Sequence, residues 1–69
     1  MRLVEGERVD VRNHNQGWMV ATVVALKGNQ ARVHYNGYKA VYDEWVEVEG
    51  LAPLGMKTGV RGMGLLLSR

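Results

Sequence analysis

Residues 33–48 read VHYNGYKAVYDEWVEV and hold all three tyrosines of the chain and one of its two tryptophans, in a protein without phenylalanine. The stretch continues a strand: over 30–35, Ala31, Val33 and Tyr35 alternate with Arg32 and His34, which puts the two sets on opposite faces. Asn36-Gly37 ends it. An Asn-Gly pair often makes a two-residue hairpin, yet the next run with strand character, 44–48, begins only after Tyr38-Lys39-Ala40-Val41-Tyr42-Asp43. The connection is therefore a longer loop, and it carries rings. A core normally spreads its large side chains along the chain, so this crowding implies that some of these rings do more than pack. Within 44–48, Trp45 and Val46 are expected to face the core and Glu47 and Glu49 water, with Trp45 chiefly a core residue.

Working outward, Val9 and Val11 alternate with Asp10 and Arg12, and Asn13-His14-Asn15-Gln16-Gly17 supplies turn residues. Residues 18–26 are rich in β-branched side chains and apolar on both alternating sets, Met19/Ala21/Val23 and Trp18/Val20/Val24, as a long, strongly bent strand requires. Lys27-Gly28-Asn29 turns the chain. Beyond 50, Leu51-Ala52-Pro53-Leu54 reads as a last turn or an edge strand, since Pro53 has no N–H to give a ladder. Four to five short strands with turns at this spacing and no helical period predict an all-β, small antiparallel barrel over 1–54.

The chain has 69 residues, a length for one domain, and such a domain buries only about 60% of the surface of its unfolded chain. There is no cysteine. Disulfides and thiolate zinc sites are thereby excluded, and His14 and His34 alone cannot complete a metal shell. No apolar run approaches a membrane span and no secretory start is visible, so a soluble, intracellular protein without membrane or cofactor is expected. The net charge of +2 is unevenly placed. Residues 1–50 carry six basic and seven acidic side chains, whereas 51–69 add Lys57, Arg61 and Arg69 with no acid. The excess belongs to 55–69, which holds four of the nine glycines and no period, and reads as a flexible basic tail. A near-neutral body weakens the case for nucleic acid that a basic isoelectric point would otherwise make.

An enzyme is not expected. No Ser/His/Asp or Cys/His set and no glycine-rich phosphate loop is present, and adjacent Asp43 and Glu44 would point to opposite faces of a strand. Binding fits the rings better. Tyr35, Tyr38 and Tyr42 stand at a strand end and in the loop after it, where side chains can converge, and a box of aromatic faces attracts a quaternary or methylated ammonium while burying its methyl groups. The competing explanation is that the tyrosines are half-buried barrel residues with their hydroxyls in water.

The segment 33–46, with its His-Tyr, Gly-aromatic, aromatic and Asp-Glu-Trp-Val in that order, resembles chromo barrel and Tudor-knot domains; EGERVDVRNHNQGWMVATVVAL at 5–26 is similar to their opening strands. The resemblance spans about 5–54. It implies an SH3-like barrel in a chromatin-associated, nuclear protein, such as a component of a lysine acetyltransferase complex, that reads a methylated histone peptide. Position by position, Tyr35, Tyr38 and Tyr42 match three walls of a methyl-lysine cage, Trp45 a core anchor, and Asp43 and Glu44 an acidic rim. The fourth wall falls to Trp18 or Met19, since relatives place an aromatic where Met19 stands and a one-residue step reverses the face. Some relatives associate with RNA instead. A nucleic-acid module would use Arg12, Arg32 and Lys39 with a stacking tyrosine, and a plain protein-interaction barrel would present Val20, Val24 and Val41.

Overall fold

Val9, Val23 and Val33 are completely removed from solvent and Val11 almost so, and burying each such side chain contributes roughly 1.5–3 kcal/mol. The alternation of these residues with polar ones is what builds the sheet. In the computed structural model, which describes residues 2–60, five antiparallel strands form: β1 (Arg8–Asn13), β2 (Gly17–Lys27), β3 (Gln30–Tyr35), β4 (Glu44–Glu47) and β5 (Leu51–Pro53). Their order is β4-β3-β2-β1-β5. This is the small all-β, SH3-like barrel expected, with Pro53 in an edge strand. No helix of the described residues is long and apolar enough to cross a membrane.

The core joins Val9, Val11, Ala21, Val23, Ala31, Val33 and Tyr35, with Met19, Val46, Val48 and Leu51 packed against it. β2 bends as its two apolar faces demand: the register to β3 slips between Val23 and Ala25, so that Val24 is the extra residue of a bulge. The Val23 N–H and C=O turn instead to the entering chain, pairing with the Glu7 carbonyl at 2.8 Å and the Gly6 amide at 2.7 Å.

Trp45 departs from expectation. It is 41% exposed and Val46 packs on the core in its place. The reason is register: β4 pairs Val46 with fully buried Ala31 and Trp45 with Arg32, so one strand face takes Val46 inward and sends Trp45 out.

Asp10 alternates with Val9 and Val11 on β1, yet it is buried as they are. β5 lies beside β1, and the turn after it gives the carboxylate its partners. The amides of Gly55, Lys57 and Thr58 donate to it at 3.1, 2.7 and 2.9 Å, and the Thr58 hydroxyl at 3.0 Å. A buried charge is tolerable only when so satisfied. Residues 55–58 of the expected tail are thereby held on the barrel, and residues 61–69 lie outside the described ones.

Candidate functional site

Three segments converge at one end of the sheet. The β1–β2 hairpin closes with Asn13 opposite Gly17, and the Asn13 side-chain oxygen accepts the amides of Asn15 and Gln16 at 2.9 and 3.2 Å, which shapes its tip. β3 delivers Tyr35. After it, the Tyr38 amide donates to the Tyr35 carbonyl at 3.0 Å, closing a turn in which Gly37 has φ of 86°. That left-handed conformation at the third turn position requires glycine. A single 3-10 turn, Ala40–Tyr42, then returns the chain to β4. His34 Nδ1 lies 2.7 Å from the Asp43 carboxylate and ties the end of this turn to β3.

The result is a cavity of about 330 Å³ lined by Tyr35, Tyr38, Tyr42, Met19 and Glu44, with Asn13, Asn15 and Gln16 at its rim. Tyr35 is buried, whereas Tyr38 and Tyr42 are 45% and 60% exposed, so one ring forms the base and two stand at the mouth. Those two rings meet edge to face, with centroids 6.2 Å apart and planes at 88°. The Tyr35 hydroxyl donates to Glu44. Burial first, and then this hydrogen bond, push the Tyr35 phenol above its ordinary value, against a smaller opposing effect of Asn13. A carboxylate and three tyrosines thus line one space.

Of the two candidates for the fourth wall, Met19 lines the cavity and Trp18 does not. Alternation on β2 explains it: Met19 shares the inward face with Ala21 and Val23, so its neighbour faces away. Trp18 lies in a second, larger groove, where the Lys57 ammonium sits 5.5 Å from its ring centroid. Likewise Glu44 reaches the cavity while Asp43 is engaged by His34. Arg12 lines the larger groove, Arg32 lies on the outward face of β3 and Lys39 precedes the 3-10 turn; they come from three separate elements. Asn13, Asn15 and Gln16 join the site without having been expected there. In the sequence they carry only turn character, and nothing local says which loop they will face. Among the described residues, no three potential metal-ligating side chains stand together.

The family model for the mbt repeat matches residues 4–53, nearly three quarters of the chain. The chain belongs to the mbt repeat family. Mbt repeats are Tudor-like barrels, so the resemblance drawn from 33–46 holds at that level, while the family matched is the mbt repeat and not the chromo barrel or Tudor-knot. The matched span of this mbt repeat contains every residue of the tyrosine cavity. No curated protein matches the chain.

Proposed function

We propose that this mbt repeat binds a methylated lysine of a histone tail in the tyrosine cavity, as a non-catalytic reader. The observation that carries the reading is that Tyr35, Tyr38 and Tyr42 line one 330 Å³ space together with Met19 and Glu44. Methylation keeps the lysine charge but weakens its hydration, so a methylated ammonium loses less on entering a ring-lined space than a bare one and gains cation–π attraction and methyl burial. Glu44, tied to Tyr35, supplies negative potential at the base, and Met19 an adaptable apolar wall. The family supports the same class of ligand, because mbt repeats bind methylated lysine on histones and are not catalytic. In this reading the ring-bearing loop is what the chain shares with chromo barrel and Tudor-knot domains, the module is residues 1–54 closed over Asp10 by residues 55–58, and it works in the nucleus within a larger chromatin-modifying assembly.

Nuclear magnetic resonance titration with a histone peptide in trimethylated and unmethylated forms tests it. The trimethylated peptide is expected to shift the resonances of Tyr35, Tyr38 and Tyr42 more than the unmethylated one; equal or absent shifts remove the reading. A nucleic-acid role has less support, since residues 1–50 carry six basic against seven acidic side chains and make a near-neutral body.

A further inference from the structure

The larger groove, about 950 Å³, lies between the two edges of the sheet and is lined by β4, β5 and the end of β1. Its β4 side is a free strand edge. The pairs Val33/Glu44 and Ala31/Val46 continue to Asn29, whose carbonyl accepts the Val48 amide at 2.9 Å. In an antiparallel ladder, residues whose amides face the partner alternate with residues whose amides face away. Glu44, Val46 and Val48 therefore turn their main-chain groups toward β3. Trp45 turns both of its main-chain groups and Glu47 its amide toward the groove, while the Glu47 carbonyl opens the 3-10 turn Val48–Gly50. An unpaired edge of this kind accepts an added strand.

Charge and position narrow the occupant. Glu44, Glu47 and Glu49 line the groove on the β4 side, Glu47 also accepting from the Gln30 side chain at 2.7 Å. The opposing cations, Arg12 and Lys57, come from β1 and from the turn after β5, and Lys57 is drawn over Trp18. On the β4 side these three carboxylates outnumber the one cation beside them, Arg32, the cross-strand neighbour of Trp45. Glu44 also lines the tyrosine cavity, so the two spaces meet at one side chain.

We propose that the groove takes the extended, basic flank of the same peptide whose methylated lysine enters the tyrosine cavity, by adding a strand to the outer edge of β4 at Trp45 and Glu47. This rests on the methyl-lysine reading for the position of the peptide. The edge supplies main-chain hydrogen bonds, the glutamates select lysine or arginine beside the modified residue, and the exposed ring of Trp45 covers their aliphatic stems.

The test compares three probes by resonance titration of the full chain: capped trimethyl-lysine alone, a trimethyl-lysine peptide with lysine and arginine flanks, and the same peptide with glutamate flanks. The basic flank is expected to tighten binding about ten-fold over the capped amino acid and to shift the Trp45 and Glu47 amides. N-methylation of the flank's backbone should remove that gain. So should Glu47→Lys, with affinity for capped trimethyl-lysine unchanged. Equal affinity for basic and acidic flanks, or silence at Trp45 and Glu47 while the tyrosines respond, overturns the groove and leaves the cavity reading standing. Conversely, response at Trp45 and Glu47 that is indifferent to methylation removes the cavity reading and keeps the groove; silence at both removes both.

Discussion

The phenol of Tyr35, buried at the end of β3, donates its proton to the carboxylate of Glu44 at the start of β4. One hydrogen bond thereby joins the base of the aromatic cavity to its acidic side chain, and links a core residue to the candidate site.

Removing that hydroxyl separates the two roles of Tyr35. Tyr35→Phe keeps the ring and its packing but frees Glu44, and is expected to cost roughly 1.5–3 kcal/mol, the range for a hydrogen bond to a charged group. Because the folded protein holds the Tyr35 proton more tightly than the unfolded chain, its contribution is complete below the ordinary tyrosine value of about 10 and is lost as pH rises through the higher folded value. Urea melts of wild type and Tyr35→Phe across the alkaline range check this. An equal alkaline decline in both proteins would refute it.

Tyr38→Ala probes binding with little burden on the fold, since the ring is exposed at the cavity mouth. Loss of one cage wall is expected to weaken a trimethyl-lysine peptide by about 1–2 kcal/mol, near ten-fold. Calorimetric titration measures it, and an unchanged melting temperature shows that the barrel survives.

Gly37→Ala acts on the same loop through the backbone. With φ at 86° and open space around the position of an added Cβ, the penalty is conformational and not steric crowding. It is expected to be about 1 kcal/mol of stability. The turn that aims Tyr38 should relax with it, so peptide affinity falls as well, and melts and titrations on one sample report both effects.

Asp10→Ala should be the most damaging of the four, at about 3 kcal/mol or more, because it strips three amides and a hydroxyl of their common acceptor. Burial by itself would raise the Asp10 pKa, but the donors from Gly55, Thr58 and Lys57 outweigh it and hold the carboxyl below its ordinary value. The stabilisation is therefore present above the ordinary carboxylate value of about 3.9 and disappears as pH falls through the lower folded one. Thermal melts from neutral to strongly acid pH should show a steeper loss in wild type than in Asp10→Asn.

The strands were legible because their signal is local. Residues 30–35 alternate apolar and polar side chains and are β3 with those bounds; the doubly apolar run around 18–26 is β2 with its bulge. The loop that carries the rings was legible too, from the distance between Asn36-Gly37 and the next strand. Trp45 was misread because one apolar ring among valines carries no mark of its face, and only the pairing of Val46 with Ala31 decides it. The burial of Asp10 has no local mark at all, because its donors lie more than forty residues away.

By itself, then, the amino-acid order determined a small antiparallel barrel and the loading of one loop with tyrosines, since period and turn chemistry act over a few residues. The tertiary structure alone decided that Met19 and not Trp18 completes the cavity wall, that Glu44 and not Asp43 enters it, and that Trp45 stands at an open sheet edge. Each of these is a choice of face, and a face is set by register between strands distant in sequence, where a slip of one residue reverses every side chain.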